Sequence, residues 1–343
     1  MAPHLAPDQT AMIAPDAAAF IAAAGWGAAT VLSVSGDASF RRYFRLVCDG
    51  RTAILMDAPP ATENAGAFVA VARYLSDRGI SVPRILAEDV AAGLVLLEDF
   101  GDLMFVAALA NGHDETELYA AATDVLALLH AVPMAGRLGK HEVKPYDTAR
   151  MQREVDLVLD WYWPESTGAP ADAALCRSYA DAWDAVWPAA FAHADRLVQL
   201  DYHSPNLMWL HDRSGLARVG VLDFQDAMTG PAAYDLVSLL QDPRRDVAAG
   251  LEPLLIARYL GQRPDFDVAA FKASYAVMGA QRAARILGVF VRLWRRDGKP
   301  GYLQHLPRVW GLLDRNLTNP ALAPVADWFQ RYLPRDQRRA ITP

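Results

Sequence analysis

Three polar residues at fixed spacings constrain the fold of this chain more than any other feature of its sequence. Asp201 and Asn206 are five residues apart, and Asp223 follows Asn206 by seventeen. Apolar runs at 207–210 and 219–222, joined by a polar segment, predict a β-hairpin between Asn206 and Asp223. Such a hairpin would hold these two side chains close together at its open end.

The chemistry of the three side chains suits a magnesium site. Carboxylate and amide oxygens are ligands that Mg²⁺ takes when it is bound jointly with substrate phosphates. Phosphoryl transfer from ATP also needs a carboxylate that orients the attacking hydroxyl. The pattern therefore predicts a kinase with ATP and Mg²⁺ as cofactors. An ordinary polar loop remains an alternative for Asp201 and Asn206, but Asp223 follows an apolar run, where an unpaired charge is costly.

The bulk composition argues against several other classes of protein. Hydrophobic residues make up 53% of the 343 positions and charged residues 21%, as in a globular protein of one large domain or two lobes. A formal charge of −7 argues against a nucleic-acid partner. No long charge-free apolar run and no basic signal-peptide region occur, so no membrane partner is expected. Cys48 and Cys176 fit a reducing cytoplasm.

The pattern of predicted elements changes near residue 98. Strands dominate before it, with a hairpin turn at Asp49-Gly50, and helices dominate after it. We therefore predict an α+β protein with two lobes, a nucleotide-binding lobe at 1–98 and a catalytic and substrate lobe at 99–343. The predicted strands are 31–34, 40–47, 52–56, 82–86 and 94–97, and the predicted helices are 17–24, 64–77, 115–131, 148–161, 171–193, 247–260, 266–293 and 307–313.

Two parts of the first lobe are predicted to bind the nucleotide. A turn of small and polar residues can close over phosphates with its backbone N–H groups. The hinge between the lobes can present backbone groups to the adenine edge, with apolar contact from the strands. The residues assigned to these roles are Gly36, Asp37, Ala38 and Ser39 in the turn, Glu98 and Phe100 in the hinge, and Ile54 and Leu97 on the strands.

The order of these segments resembles the aminoglycoside phosphotransferase family. That family has the bilobal protein-kinase fold, with a small antiparallel N-terminal lobe and a larger, mainly helical C-terminal lobe. The resemblance implies that Asp201 is the catalytic base and that Asn206 and Asp223 bind magnesium. It also implies that Asp235 supports the catalytic loop. The segments that carry the resemblance are 128–131, 219–227 and 230–236.

A narrower likeness points to one branch of that family, the anomeric amino-sugar kinases of bacterial cell-wall recycling. It implies ATP-dependent phosphorylation of the C1 hydroxyl of N-acetylmuramate, N-acetylglucosamine or both, so that the partner is a small-molecule amino sugar. The oligomeric state does not follow from the sequence. The segments similar to this branch are 36–45, 56–60, 98–102, 201–203 and 206–210.

One departure from the kinase pattern concerns the cation that grips the phosphates. A kinase usually carries a lysine on its third strand. Here Met56 takes that position, and no lysine precedes Lys140. We expect Arg42 or Arg45 to replace the lysine, because guanidinium groups pair well with phosphate oxygens. The alternative is that both arginines face solvent.

Sugar contacts are expected near the catalytic residues and on the aromatic cluster at 161–163, since aromatic rings suit the apolar face of a pyranose. A core position remains an alternative for the aromatic cluster. Arg282 and Arg285 lie three apart on one predicted helix face, where either could meet a lactyl carboxylate, although a solvated face is expected for both. The predicted sugar contacts are Trp161, Tyr202, His203 and Gln225.

Two other functions remain open at this point. The acceptor could be an aminoglycoside, a choline-like compound or another small alcohol, for which an acidic substrate pocket would be expected. The chain could also be a pseudokinase that binds nucleotide as a scaffold, which the missing lysine favours and the intact acidic residues oppose. The acidic cluster that keeps the first alternative open consists of Asp160, Glu165, Asp172 and Asp181.

Overall fold

The computed structural model describes residues 12–34, 40–338 and 341–342. The chain divides into two compact units, and each unit is built from more than one stretch of sequence. The lobe boundary expected at residue 98 stays a prediction. Unit 1 comprises Met1–Leu129, Arg137–Val143 and Ser204–Ala227, and unit 2 comprises His130–Gly136, Lys144–His203 and Met228–Pro343.

A five-stranded antiparallel sheet is the main feature of unit 1. Its strands are β1 (Thr30–Val34), β2 (Arg42–Cys48), β3 (Arg51–Asp57), β4 (Ile85–Asp89) and β5 (Leu94–Glu98). They lie in the order β1-β2-β3-β5-β4, which confirms five predicted strands. Asp49 and Gly50 join β2 to β3 with positive φ angles of 49° and 73°, as this type of two-residue turn requires. The strand predicted at 82–86 begins later, because Pro83 has no N–H for the ladder.

The remaining strands are short and pair two by two. They are β6 (Arg137–Leu138), β7 (His141–Glu142), β8 (Arg196–Val198), β9 (Leu207–Trp209), β10 (Val219–Val221) and β11 (Met228–Gly230). In unit 1, β6 pairs with β7 and β9 with β10, and in unit 2 β8 pairs with β11. The pairing of β9 with β10 confirms the predicted hairpin. The pair of β8 and β11 was not predicted, because strands of three residues carry too little periodicity to be recognised.

Helices make up most of the rest. In unit 1 they are α1 (Pro15–Ile21), α2 (Ala65–Ser76), α3 (Phe105–Ala110) and α4 (Glu115–Leu129). In unit 2 they are α5 (Thr148–Val155), α6 (Trp163–Thr167), α7 (Ala173–Asp184), α8 (Trp187–Ala190), α9 (Ala233–Leu240), α10 (Leu251–Gly261), α11 (Val268–Asp297), α12 (Leu306–Asn316) and α13 (Ala323–Tyr332). No helix in the described residues is both long and apolar enough to cross a membrane.

Local signals explain where several helices begin and end. The side chain of Asn64 caps α2 by accepting a hydrogen bond from the Ala67 N–H (3.0 Å). The helix predicted at 171–193 is wrong in its length. The structure has two helices there, because α7 ends at Asp184 and Pro188 lies in the first turn of a separate short helix, α8. The helix predicted at 148–161 is also interrupted, since α5 ends at Val155 and a π-helical turn follows at Val158–Tyr162.

The 30-residue helix α11 is the central element of unit 2. Asp267 caps its start by accepting from the Ala270 N–H (2.7 Å), and Gly298 ends it with a φ of 65°. The helix contacts α5, α8, α9 and α12, so most of its circumference is buried. At Gly288 the backbone comes so close to the neighbouring turn that an added Cβ would lie 2.2 Å from the carbonyl oxygen of Leu157.

We therefore expect G288A to lower the free energy of unfolding by about 1–3 kcal/mol, because the new methyl group has no room beside the Leu157 carbonyl. G261A is the matched control, since a Cβ at Gly261 meets no atom within 4 Å. Urea unfolding of the two variants and the parent measures the difference. A G288A protein as stable as G261A would contradict this close packing of α11.

Candidate active site

The loop that carries Asp201 is held in unit 2 by the carboxylate of Asp235. Asp235 lies on α9 with no exposed surface, and it accepts hydrogen bonds from the backbone N–H groups of Gln199 (2.7 Å) and Leu200 (3.0 Å). Leu200 has a φ of 68°, a left-handed conformation that a leucine adopts only under constraint. The two hydrogen bonds supply that constraint, so Asp235 determines the direction in which the next residue, Asp201, leaves the loop.

A buried histidine that was not among the predicted site residues lies beside Asp235. His130 has no exposed surface, and its Nε2 lies 3.7 Å from Asp235 Oδ2. Its other ring nitrogen shares a hydrogen bond of 2.8 Å with the hydroxyl of Tyr259, and its carbonyl accepts from Arg196 (2.8 Å). The sequence signal was present, because residues 128–131 carried part of the family resemblance, but no role had been given to His130 itself.

The predicted sugar contacts of unit 2 differ in their exposure. Tyr202 is 1% exposed, so its ring can offer little surface to a substrate. His203 is 8% exposed, and its backbone N–H donates to the Asp201 carbonyl (3.0 Å). Burial, and next the positive charge of Arg282, lower the pKa of His203 to about 4, so its imidazole is neutral at pH 7. Trp161 is half-buried in the π-helical turn. Their roles toward a sugar stay predictions.

In unit 1 the β9–β10 hairpin brings the backbone of Asn206 beside the residue that precedes Asp223. Leu207 pairs with Val221, and the Leu222 N–H donates to the Asn206 carbonyl (2.9 Å). Asp223 has a φ of 56°, so this predicted site residue has a left-handed backbone itself, whereas Leu200 only precedes such a residue. The hairpin therefore places these two oxygen-bearing residues at the same end, as the spacing predicted.

The carboxylate of Asp223 is 41% exposed and meets two donors at one oxygen. Its Oδ1 accepts from Arg41 (3.1 Å) and from the Gln225 side chain (3.1 Å), and Gln225 also donates to Asp226 (3.0 Å). A partly exposed carboxylate with a second oxygen, at the same end of the hairpin as Asn206, fits Mg²⁺ that completes its coordination with phosphates and water. No cluster of three or more His, Cys, Asp or Glu side chains suited to a metal occurs among the described residues.

The arginines at the start of β2 differ in their surroundings. Arg42 is 59% exposed and forms an ion pair with Asp57 across β2 and β3, and its role toward phosphates stays a prediction. Arg41, which was not among the predicted site residues, is only 9% exposed and contacts both Asp223 (3.1 Å) and Glu63 (3.5 Å). Successive side chains point to opposite faces at the start of a strand, so the side chains of residues 41 and 42 lie on different faces of the sheet. This alternation was the sequence signal that could have separated Arg41 from Arg42.

Arg45, the other predicted phosphate ligand, is tied to the hinge. Its guanidinium forms ion pairs with Asp99 (2.7 Å) and Asp102 (2.8 Å) and donates to the Gly101 carbonyl (3.2 Å). These contacts fix the segment that follows β5. A role of Arg45 toward ATP stays a prediction, but its donors already meet protein acceptors.

The hinge residues are likewise engaged within unit 1. The Glu98 N–H donates to the Arg84 carbonyl (2.9 Å), and the Glu98 carboxylate accepts from Arg84 (3.1 Å) and Arg213 (2.6 Å). The Phe100 ring packs on Gly220, where an added Cβ would lie 2.8 Å from it, and under the Arg213 guanidinium at 5.0 Å. Phe100 therefore helps to hold the hairpin, and contact of either residue with adenine stays a prediction.

The other predicted nucleotide contacts fall into two groups. Ile54 and Leu97 pair across β3 and β5, where Leu97 is buried and Ile54 partly so. Their apolar contact with an adenine ring stays a prediction. The predicted phosphate turn, consisting of Gly36, Asp37, Ala38 and Ser39, lies outside the residues that the structure describes.

An antiparallel five-stranded sheet, a largely helical second unit and the loops that carry Asp201 and Asp223 are the features of a kinase-like phosphotransferase. The model of the phosphotransferase enzyme family matches residues 30–271, and the chain belongs to this family. The family resemblance stated from the sequence is thereby confirmed.

Curated relatives are similar over nearly the whole chain. The N-acetylmuramate/N-acetylglucosamine kinase of Caulobacter vibrioides is 40% identical, with 94% of this chain and 97% of the relative covered. The kinase of the same name from Pseudomonas aeruginosa is 35% identical, with 89% and 90% covered.

Solved structures show the same fold at low sequence identity. A candidate aminoglycoside phosphotransferase from Ralstonia eutropha has a TM-score of 0.61 at 18% identity, with 86% of this chain and 92% of the other covered. The ADP-bound aminoglycoside phosphotransferase APH(2'')-Ib has a TM-score of 0.53 at 11% identity, with 83% and 93% covered. These likenesses confirm the predicted α+β, bilobal protein-kinase-like fold.

The lowered pKa of His203 predicts a pH dependence of stability. Below pH 6.5 the unfolded chain protonates this histidine, whereas the folded protein does so only near a pKa of about 4. Stability is therefore complete above about pH 6.5 and decreases toward pH 4, by about 1.4 kcal/mol per pH unit. Between pH 7 and pH 5 we expect the parent to lose about 2 kcal/mol more than H203N in urea unfolding.

The exposed His113 provides the control for this measurement. H113N removes a histidine that is in water in both states, so the parent's pH dependence should be kept. If H203N and H113N lost the same stability between the two pH values, the burial of a neutral His203 would be disproved.

Proposed function

We propose that this protein is an ATP-dependent kinase that phosphorylates the C1 hydroxyl of N-acetylmuramate, N-acetylglucosamine or both, in peptidoglycan recycling. The observation that carries the proposal is the Asp201 loop, whose backbone is fixed by Asp235 directly before the hairpin of Asn206 and Asp223. The sugar is inferred from the names of relatives that share nearly the full length of the chain. A cytoplasmic location and the absence of a nucleic-acid partner stay predictions.

Asp201 is proposed as the base that orients the C1 hydroxyl and accepts its proton. An anomeric hydroxyl is more acidic than an ordinary alcohol, so its deprotonation demands less of the base. Asn206 and Asp223 would hold Mg²⁺, which supplies positive charge to the β- and γ-phosphates when it is bound. The protein's own contribution is then mainly the positioning of the hydroxyl and the electrostatics around the transferred group.

Arg41 is proposed as the cation that takes the place of the missing third-strand lysine. Glu63 and Asp223 hold its guanidinium from two sides, so the group needs little ordering when a phosphate binds. An arginine also presents several N–H donors in a planar fork that matches phosphate oxygens. Arg41 fits this role better than Arg42, whose side chain is 59% exposed.

The two alternatives have less support. An aminoglycoside pocket would use the acidic cluster near residue 165, but Glu165 is paired with Arg295 (2.6 Å) and Asp172 caps α7 by accepting from the Leu175 N–H (2.8 Å). These carboxylates therefore stabilise the local structure. A pseudokinase scaffold loses its main argument once Arg41 supplies a fixed cation beside Asp223.

Turnover of ATP with N-acetylmuramate, N-acetylglucosamine and a set of aminoglycosides tests the proposal, with the product's phosphate position determined by ³¹P NMR. We expect phosphate on C1 of at least one amino sugar. D201N should lower kcat by about 10²–10⁴-fold, because it removes the base. D212N, on the exposed hairpin turn, should keep the parent's kcat. Phosphate on another hydroxyl, or turnover of aminoglycosides alone, would refute the assignment.

The proposed role of Arg41 is tested with R41Q, R41K and R42Q. R41Q should lower kcat/KM for ATP by about 10- to 100-fold, the range for losing a hydrogen bond to a charged group, and R41K should recover part of it. R42Q is the matched control and should remain within about threefold of the parent. If R42Q were the impaired variant and R41Q active, the earlier assignment to Arg42 would be right.

A further inference from the structure

Arg282 is a buried arginine whose charge is not balanced inside the protein. It lies in the middle of α11 and is 5% exposed. Within the described part of the chain, its guanidinium makes no hydrogen bond or ion pair, and its fully buried Nε has no acceptor. The solvated position expected from the sequence is therefore wrong for Arg282.

Its neighbour one turn along the helix shows the usual arrangement. Arg285 donates to the Tyr234 hydroxyl (3.1 Å) and lies 3.8 Å from the Glu154 carboxylate. Arg285 is thus a structural arginine with its own acceptors. The two side chains share a helix and a chemical type, so the difference between them lies in the surroundings that unit 2 provides.

An unbalanced buried guanidinium is strongly unfavourable. An arginine cannot lose its proton at ordinary pH, so it cannot relieve the cost of burial by becoming neutral. Proteins keep such a group mainly where function requires it, since replacing it by an apolar residue would raise stability. The missing partner of Arg282 is therefore expected to be an anion that arrives with a ligand.

The position of Arg282 relates it to the Asp201 loop. The charge of Arg282 acts on His203, the second residue after Asp201. The buried Nδ1 of His203 has no partner among the described residues either. The charges of Asp201 and Asp242 act to raise the pKa of His203, and the Asp242 carboxylate accepts from the Arg244 N–H (2.8 Å). Two unsatisfied polar atoms, Arg282 Nε and His203 Nδ1, thus belong to unit 2, and the second is on a residue two positions after Asp201.

We propose that Arg282, together with the unpartnered Nδ1 of His203, forms a subsite for a substrate carboxylate, the lactyl carboxylate of N-acetylmuramate. This inference rests on the proposed function. N-Acetylglucosamine has the same C1 hydroxyl and acetamido group but no lactyl ether, so only N-acetylmuramate can balance the charge of Arg282. The subsite makes Arg282 a specificity-determining residue, whereas Asp201 serves both sugars.

The test compares R282M and R282Q with the parent on N-acetylmuramate, on its carboxamide and on N-acetylglucosamine. For N-acetylmuramate, kcat/KM should fall by about 10- to 100-fold, the effect of losing a charge-assisted hydrogen bond. For N-acetylglucosamine and for the KM of ATP, the change should stay within about threefold. The carboxamide should be a poor substrate of the parent, and the variants should not distinguish it from N-acetylmuramate. R296Q, on an exposed turn of the same helix, is the control.

A stability measurement separates this role from a structural one. R282M should raise Tm, because it removes an unbalanced buried charge, whereas loss of a structural arginine would lower Tm. Equal losses of activity on both sugars, or a lower Tm, would overturn the subsite. A raised KM for ATP alone would assign the anion to the nucleotide and would also overturn it.

Direct binding keeps the inference testable if the proposed reaction fails. Should the parent phosphorylate neither sugar, the proposed function falls, and calorimetry with N-acetylmuramate and its carboxamide still tests the subsite. Tighter binding of the acid than of the carboxamide, lost in R282Q and kept in R296Q, would support it. Equal binding of the two compounds, or no binding of the acid, would overturn it.

Discussion

The buried carboxylate of Asp235 is the constraint on which the candidate site of unit 2 depends. A carboxylate with no exposed surface is unfavourable unless strong donors replace its water, and here two backbone N–H groups do so. The same two bonds hold Leu200 in a left-handed conformation. The cost of burying a charge and the cost of a strained backbone are thus offset by one set of hydrogen bonds, and the result is a fixed direction for Asp201.

Unit 1 uses a related arrangement for Asp223. This residue also has a left-handed backbone, and Arg41 and Gln225 hold its side chain at a single oxygen. In each unit a residue with a left-handed backbone lies two positions after a short strand, Leu200 after β8 and Asp223 after β10. The change of backbone direction therefore comes at the acidic residue or immediately before it.

Local patterns were sufficient to predict the five-stranded sheet and most of the longer helices, but not the surroundings of the arginines. The Asp49-Gly50 turn and the hairpin spacing each depend on a few neighbouring residues, and each was recognised. The choice between Arg41 and Arg42 depends on which face of β2 meets Asp223, a residue 182 positions away from Arg41. The burial of Arg282 depends on α9 and α12 both covering α11. Such facts arise from tertiary packing, which no window of sequence contains.

The contrast between Arg41 and Arg282 suggests a rule for reading arginines in such a site. Two carboxylates hold Arg41, so its position is fixed and its charge is balanced before any ligand binds. That suits a polyphosphate, which brings its own cation and needs a donor at a fixed place. Arg282 meets no carboxylate in the described structure, so its charge is still available. That suits a single carboxylate, which brings no cation. Whether an arginine already forms an ion pair within the protein thus indicates which kind of anion it binds.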